Sequence, residues 1–210
     1  EQKARILGAY CKPYRWQESV GLPVKDTATD LLERQERGEY RRAEGAEGET
    51  SPETGTAYHA FLQHVDFSRS AAEELERMKK EQLLTDEQIA LLDADKLARI
   101  LDIPCLRALA GKQILREQTF LVRLQADELN DTSATDPIVY QGALDLLCLD
   151  TDGATIIDYK FSVLDDESLR KKYAVQVALY RKAVAQILRV DERTVRARIV
   201  NILLCREIVV

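Results

Sequence analysis

The stretch PIVYQGALDLLCLDTDGATIIDYKF at residues 137–161 decides the fold. It contains two runs rich in β-branched and aromatic residues on either side of a Thr-Asp-Gly turn, a pattern that predicts two antiparallel strands. The segment ILREQTFLVRL at residues 114–124 predicts a third strand before them. Its side chains can be sorted onto alternate faces, with Ile114, Arg116 and Gln118 on one face and Phe120, Val122 and Leu124 on the other. Three successive strands are therefore expected after Lys112.

A long amphipathic helix and a closing strand are expected after these three strands. Residues 168–190 have helical spacing, with the following residues on or near one face: Tyr173, Val177, Tyr180, Val184 and Ile187. Residues 194–205 then have the composition of a further strand. From Lys112 onward the order is therefore βββαβ, and residues 112–210 are expected to form an α/β core.

The residues before this core predict a helical portion over 55–111. A helical pattern begins at Gly55, with Thr54 or Thr56 as its candidate cap. We expect one compact domain over residues 55–210.

Residues 1–54 predict an N-terminal arm and a flexible polar segment. The stretch from 26 to 53 is polar and glycine-containing, which is typical of a mobile surface segment.

Composition limits the kinds of function that fit. Lys and Arg number 30 against 36 Asp and Glu, and the net charge is −6. This balance argues against a domain that holds nucleic acid by bulk electrostatics alone. Divalent cations in an acidic site, together with basic surface supplied by a larger parent protein, would reconcile it with nucleic-acid binding.

Targeting signals and cysteine spacing point to the cytoplasm. No apolar run approaches the ~18–20 residues that span a bilayer, and the first ten residues, EQKARILGAY, are unlike a secretory signal. The four cysteines are scattered, which favours reduced thiols over a zinc or iron–sulfur site. Because the chain starts at Glu1 and its single methionine is Met78, we expect a fragment of a longer polypeptide.

Two acids and a lysine carry the strongest chemical signal. Asp145 in GALDLL and Asp158 in IIDYK lie on either side of the predicted hairpin, which can bring both carboxylates to one end of neighbouring strands. Lys160 is two residues after Asp158, so both side chains share one face. Carboxylates that hold Mg²⁺ or Mn²⁺, with a lysine that orients water, fit phosphodiester hydrolysis. The alternative is that Asp158 and Lys160 form a simple ion pair at a strand end.

Four ordered motifs carry a family resemblance: GTAYH at 55–59, GALD at 142–145, DYK at 158–160 and QVALY at 176–180. Together they resemble the RecB-like branch of the PD-(D/E)XK nuclease superfamily. The segments LPVKDTATDL at 22–31, GTAYHAFLQHVDF at 55–67 and REQTF at 116–120 are similar to the C-terminal nuclease domains of AddA-type helicase-nucleases. The resemblance covers nearly the whole chain. It implies a restriction-endonuclease-like core, a mixed sheet flanked by helices.

The resemblance also implies roles for individual residues. Asp145 and Asp158 would be metal ligands and Lys160 the catalytic lysine. His59 would complete the metal shell, although a histidine in this position is by itself more often a hydrogen-bonded core residue. The backbone carbonyl of Tyr159 would also reach the metal.

Three further residues have open roles. Gln176 and Tyr180 are four residues apart and share a helix face, where they could touch a DNA phosphate, a base or the catalytic strand. Tyr180 could equally be a core residue with its hydroxyl satisfied. Glu117 either supports the metal shell and Lys160 or forms a cross-strand ion pair with an arginine.

The resemblance implies a function that depends on parts outside this chain. The domain would cut single-stranded DNA in an exonuclease-type reaction during double-strand break repair and recombination. Helicase domains of the same full-length chain would unwind the duplex, and an AddB-like protein would be the partner. Residues 161–162, Phe-Ser, replace the Thr-Asp usual after DYK, and with the acidic net charge this leaves open a catalytically weakened module for DNA guiding or docking of a partner. A stand-alone nuclease of the same superfamily is a further alternative.

Overall fold

The computed structural model describes residues 22–39, 51–130, 132–151 and 153–210. These residues form a six-stranded mixed sheet with helices on both faces, which confirms the expected fold class. The strands are β1 (Lys25–Thr27), β2 (Ile114–Gln125), β3 (Pro137–Asp150), β4 (Gly153–Lys160), β5 (Val195–Asn201) and β6 (Arg206–Val209). The α-helices are α1 (Ala28–Glu39), α2 (Pro52–His64), α3 (Ala71–Lys80), α4 (Asp86–Ala90), α5 (Ala94–Leu101), α6 (Pro104–Arg107) and α7 (Asp166–Leu188). Within the described ranges, no helix is long and apolar enough to cross a membrane.

Strand β3 organises the sheet because it has three partners. Along one edge it pairs antiparallel with β2. On the other edge, β4 pairs antiparallel with residues 146–150 and β1 pairs parallel with residues 139–141. Residues 142–145 lie between these two pairings and border a gap in the sheet. Beyond β4 the sheet continues through β5, which is parallel to β4, to β6, which is antiparallel to β5.

Each face of the sheet is covered by an apolar core. The α7 core packs α7 and α1 against one face, and its buried members include Tyr140, Ile156, Val177, Tyr180 and Ile199. The α2–α6 core packs the other five helices against the opposite face, and its members include Phe61, Leu97, Leu106, Ile157 and Val200. Strands covered on both faces carry continuous apolar runs, which explains why the sequence around β3 and β4 is so hydrophobic.

The central strands exchange faces halfway along their length. On β3, Tyr140 and Leu144 belong to the α7 core, whereas Leu146 and Cys148 belong to the α2–α6 core. A regular strand places residues two apart on one face, so the pleat of β3 is interrupted between residues 144 and 146.

Strand β2 has the same exchange. Ile114 packs with the α2–α6 core, whereas Phe120, Val122 and Leu124 belong to the α7 core. The sequence sorting separated these two groups but placed Gln118 with Ile114, whereas Gln118 lies opposite Leu144 on the α7 side. Between the paired rungs Arg116–Leu146 and Gln118–Leu144, Glu117 has a φ of 48°. The positive φ turns the strand over, and Asp145 stands opposite on β3.

The N-terminal segment differs from the sequence expectation. Residues 25–39 form β1 and α1, and Ala28 and Leu31 are buried in the α7 core, so this part of the expected mobile segment belongs to the domain. Residues 1–21 and 40–50 lie outside the described residues. Helix α2 starts at Pro52, with Ser51 as its N-cap, three residues before the expected start. Proline suits the first turn because its missing N–H has no helical partner there.

The C-terminal end adds a strand that the sequence analysis missed. The expected order βββαβ is extended by β6, because the chain turns back after β5. Asn201 accepts hydrogen bonds from the backbone N–H groups of Leu203 and Leu204 at 3.1 and 3.4 Å, and Cys205 has a φ of 51°. Since this turn uses no glycine, its sequence lacks the usual hairpin signal.

On α7, Ile187 is 55% exposed and does not join the apolar face.

Gly142 provides a test of the packing between β3 and the α7 core. A Cβ at this position would lie 2.6 Å from Cζ of Phe120 and 3.3 Å from Cε1 of Tyr180, and both rings are buried. Gly142→Ala should therefore lower the free energy of unfolding by about 1–3 kcal/mol in urea denaturation. In a Phe120→Leu background the shorter side chain leaves more room, so the cost of the same change should be smaller. An equal cost in both backgrounds would contradict this packing.

Candidate metal centre

The Asp145 carboxylate closes the end of the β3–β4 ladder. The last paired rung is Leu146–Ile157. Two residues beyond Ile157, the backbone N–H of Tyr159 donates a 2.7 Å hydrogen bond to Oδ2 of Asp145 instead of to a strand carbonyl. The N–H and carbonyl of one strand residue point towards the same neighbouring strand, so the Tyr159 carbonyl is also directed to the β3 side of β4.

Three ligand-type side chains converge at this point. Nε2 of His59 lies 3.3 Å from Oδ1 of Asp145, and Nδ1 of His59 lies 3.7 Å from Oε1 of Glu117. One ligand atom from each residue fits within 4.8 Å of the others. These side chains come from α2, β2 and β3, so the site depends on the tertiary fold. The rings of His59 and Tyr159 form a T-shaped contact with centroids 5.6 Å apart, which fixes the imidazole over β4.

The carboxylates favour a cation between them. The hydrogen bond with Asp145 raises the pKa of His59, burial opposes it, and the charges of Asp145 and Glu117 add to the increase. Both ring nitrogens of His59 face acids, which suits the doubly protonated imidazolium. A divalent ion held by the same groups would replace a proton of His59 and would balance the charges of the two carboxylates with a larger positive charge.

The structure places Glu117 beside His59 and Asp145. Among the described residues its ion-pair contact is with His59 and not with an arginine. Its φ of 48° lies in the left-handed region, which costs a non-glycine residue roughly 1–2 kcal/mol. Such local strain is often found at functional sites. The sequence offered no signal for it, because nothing in REQTF marks a left-handed residue.

Asp158 and Lys160 lie together on the α7 side of β4, as their i, i+2 spacing predicted. Nζ of Lys160 is 2.6 Å from Oδ2 of Asp158, and the side chains of Lys160 and Asp158 are 17% and 3% exposed. Burial raises the pKa of Asp158, and Lys160 and His59 oppose that change. For Lys160, burial lowers the pKa, but the carboxylates of Asp158 and Asp145 more than offset it, so the pKa is raised. The ammonium group therefore stays charged in a nearly enclosed position.

The two acids have different surroundings. Asp145 belongs to the group with His59 and Glu117, whereas Asp158 faces Lys160 and lies outside that group. The prediction that both acids lie at one end of neighbouring strands agrees with the structure, and the alternative ion pair of Asp158 and Lys160 is also present.

Helix α7 closes the other side of Lys160. Nζ of Lys160 lies 4.5 Å from the ring centroid of Tyr173, a cation–π distance. Gln176 donates a 2.6 Å hydrogen bond to the hydroxyl of Tyr180, and these side chains are 7% and 4% exposed. This burial favours a supporting role for the pair over direct contact with DNA. Tyr173 was expected only on the apolar face of this helix, and its contact with Lys160 was not predicted.

Phe161, one of the two residues that depart from the family pattern, packs beneath the helix that carries His59. Its ring stacks on Tyr58 with centroids 5.8 Å apart, and Nζ of Lys96 lies 4.8 Å from the Phe161 centroid. A Cβ on Gly55 would come within 3.3 Å of Cβ of Phe161, so α2 approaches β4 closely here. Phe161 thus helps to hold α2, and with it His59, against the strand end.

A cleft of about 510 Å³ opens beside His59 on the α2–α6 side of the sheet. Its lining includes Gly55, Thr56, Gln63, Tyr159 and Phe161. Substrate could therefore reach the group from the side opposite Lys160. The donor set itself, two carboxylates and an imidazole, fits a divalent cation such as Mn²⁺ or Mg²⁺, with the nitrogen ligand better suited to Mn²⁺.

The fold and this site define a nuclease class. Residues 31–206 match the PD-(D/E)XK nuclease superfamily, so the chain belongs to that superfamily and carries a nuclease domain of this type.

Relatives named as AddA-type subunits of an ATP-dependent helicase/nuclease match most of the chain. The protein of Acetivibrio thermocellus is 31% identical over 154 residues, which are 69% of this chain and 12% of that protein. The protein of Bacillus mycoides is 32% identical over 229 residues, covering 90% and 18%. That of Pelotomaculum thermopropionicum is 31% identical over 201 residues, covering 80% and 16%. The chain therefore spans less than a fifth of the length of these curated relatives.

The strain at Glu117 can be measured without an activity assay. Glu117→Gly and Glu117→Ala both remove the carboxylate, but only glycine adopts a positive φ without penalty. We expect the glycine variant to be more stable than the alanine variant by about 1 kcal/mol in chemical denaturation. At Thr119, an exposed position of the same strand, the order should reverse, with alanine more stable than glycine. The same order at both positions would contradict a left-handed Glu117.

Proposed function

We propose that this domain hydrolyses phosphodiester bonds in DNA with Mg²⁺ or Mn²⁺ bound by His59, Glu117 and Asp145. The observation that carries the proposal is the convergence of these three donors within 4.8 Å at the gap in the sheet. Asp158 and the Tyr159 carbonyl are proposed as further ligands, because both lie on the strand that borders the same group. A bound cation would polarise the phosphate and lower the pKa of a coordinated water.

The residues of the chain would prepare this reaction in distinct ways. Asp145 holds the end of β4 through the Tyr159 N–H, which fixes the distance between the metal group and Lys160. Lys160, charged and enclosed between Asp158 and Tyr173, is placed to orient a water or to stabilise charge that develops on phosphate oxygens. Gln176 and Tyr180 are hydrogen-bonded to each other on α7 and would support the site from that face of the sheet. Enclosure strengthens these electrostatic interactions because it excludes solvent.

The names of the relatives suggest the setting. We propose that the domain is the nuclease module of an AddA-type helicase-nuclease that works in double-strand break repair and recombination. Its substrate would be the single strand released by helicase domains of the same full-length chain, cut in an exonuclease-type reaction, and an AddB-like protein would be its partner. We propose a cytoplasmic location in keeping with that role.

The first test measures metal-dependent cleavage. The domain should degrade end-labelled single-stranded DNA with Mn²⁺ or Mg²⁺ and not with EDTA. Asp158→Ala, Asp145→Ala and Lys160→Met should each lower the rate by about 10²-fold or more, because each removes a ligand or a charge-stabilising group. Asp127→Asn, at an exposed acid after β2, is the control and should cut at the normal rate.

The outcomes distinguish a nuclease from a docking module. Equal cleavage by the unaltered domain and by Asp158→Ala would contradict the proposed mechanism. A chain that binds no Mn²⁺ and cuts no DNA would instead support a nuclease-like docking module.

The second test uses the pH dependence of metal binding. His59 must lose its proton to bind a metal, and its pKa is raised by Asp145. The affinity for Mn²⁺ in calorimetric titrations should therefore fall as the pH decreases through the pKa of His59, starting at a higher pH than for an unperturbed histidine. His59→Asn should bind more weakly and show a flatter pH dependence above pH ~5.5, where ordinary carboxylates remain ionised. An unchanged pH profile in this variant would exclude His59 as a ligand.

A further inference from the structure

We propose that a second cleft, between the end of α2 and the first half of β2, binds a phosphodiester group of the DNA strand near the bond that is cut. This inference rests on the proposed function, because it assigns the substrate path past the metal centre. The cleft has a volume of about 410 Å³, and its charged lining consists of four cations, Arg69, Arg77, Lys112 and Arg116, and one acid, Asp66. We call it the arginine cleft.

Three of these cations already have acidic neighbours. Nη2 of Arg77 lies 2.7 Å from Oε2 of the buried Glu74. Lys112 lies 3.1 Å from Asp150. Arg69, which is 52% exposed, lies at longer distances from acids: 3.6 Å from Asp66 and 3.7 Å from Glu74. These pairs fix the walls of the cleft and leave Arg69 the most open to a ligand.

Arg116 is different because the nearby acids Asp66 and Glu74 act on its charge without contacting it. Within the described part of the chain, no carboxylate lies within ion-pair distance of its guanidinium. Nη2 donates to the backbone carbonyl of Val65 at 2.5 Å, the guanidinium packs 5.5 Å from the ring centroid of Phe67, and Nε is buried without a hydrogen-bond partner. A half-buried guanidinium with an unused N–H and no carboxylate in contact offers a favourable position for an anion, and its planar shape matches phosphate oxygens well.

The position of the arginine cleft connects it to the metal centre. Arg116 directly precedes Glu117 on β2, and the face exchange at Glu117 directs Arg116 to the α2–α6 side. His64 and Val65, at the C-terminal end of α2, form part of the wall of the arginine cleft. They follow His59 by five to six residues, which is roughly 8–9 Å along the helix axis. One strand of DNA can therefore occupy both places. Because Arg116 and Glu117 are adjacent, the change of direction in β2 at Glu117 positions both the arginine cleft and the metal centre.

The test measures binding to single-stranded DNA in the absence of metal, so that it does not depend on cleavage. The probe is a fluorescein-labelled 16-nucleotide thymidine strand in EDTA, titrated from 50 to 200 mM NaCl. Arg116→Ala should weaken binding about five- to tenfold and reduce the slope of log K against log salt by about 0.7, the value for one phosphate contact on a single strand. Arg123→Ala removes the same charge from an exposed position of the same strand outside the cleft, and should change neither quantity.

Two further measurements keep the test decisive. The affinity of Arg116→Ala for Mn²⁺ should remain within about twofold of the unaltered protein, which shows that Glu117 is undisturbed. If Arg116→Ala fails to fold, Arg69→Gln at the exposed rim takes its place and should weaken binding by a smaller factor with the same decrease in slope. Binding and slope equal to those of the unaltered protein in the folded variant would overturn the proposal.

The outcomes also separate this proposal from the nuclease proposal. If Arg116→Ala weakens DNA binding but the unaltered protein cuts no DNA with any metal, the arginine cleft is supported and the nuclease mechanism is contradicted. If the unaltered protein cuts DNA normally but Arg116→Ala binds DNA as well as it does, the nuclease mechanism is supported and the arginine cleft is contradicted. Displacement of the labelled strand by a polyglutamate peptide more readily than by unlabelled DNA would indicate an acidic protein segment as the ligand and overturn the assignment to phosphodiester.

Discussion

The hydrogen bond from the Tyr159 backbone N–H to the Asp145 carboxylate is the contact on which the rest of the site depends. It ends the β3–β4 ladder with a side chain in place of a carbonyl, so the two strands can separate. Since β1 takes up the far end of the same edge of β3, the separation leaves a gap inside the sheet and not at its margin. His59 from one side and Lys160 from the other reach this gap through the two apolar cores.

The domain accepts several unfavourable features at this place. Glu117 adopts a left-handed backbone, Asp158 and Lys160 are charged groups with little exposure, and three ionisable side chains are held close together. Each would lower stability in an ordinary core. The cores on both faces, with the stacking of Phe161 on Tyr58, keep these groups in position. Features that conflict with regular folding and cluster in one location are typical of a functional site.

The sequence predicted the parts of the fold that follow from periodicity. The apolar runs around Asp145 and Asp158 indicate buried strands, and the spacing of Asp158 and Lys160 places them on one face whatever the rest of the fold does. The sequence did not predict the elements whose formation depends on tertiary contacts more than on local pattern. β1 has three residues of polar or charged character and is a strand only because β3 offers it an edge. β6 follows a turn without glycine, so no local signal announces it.

For the candidate site, the sequence indicated which residues to consider but not how all of them are arranged. The acids, Lys160 and His59 belong to matched motifs, but the role of Glu117 depends on a backbone torsion that no residue type at this position signals. The pairing of Gln176 with Tyr180 follows from helix spacing, whereas its burial depends on how α7 packs on the sheet. The contact between Lys160 and Tyr173 joins two elements whose relative position the sequence alone does not give.

The central claim is that the gap between β3 and β4 binds a divalent cation, and a crystal of this domain soaked in Mn²⁺ tests it most directly. Anomalous scattering should show manganese bound by His59, Glu117 and Asp145, with ligand distances of roughly 2.0–2.6 Å. Manganese found only on surface acids, with none between His59, Glu117 and Asp145, would contradict the account.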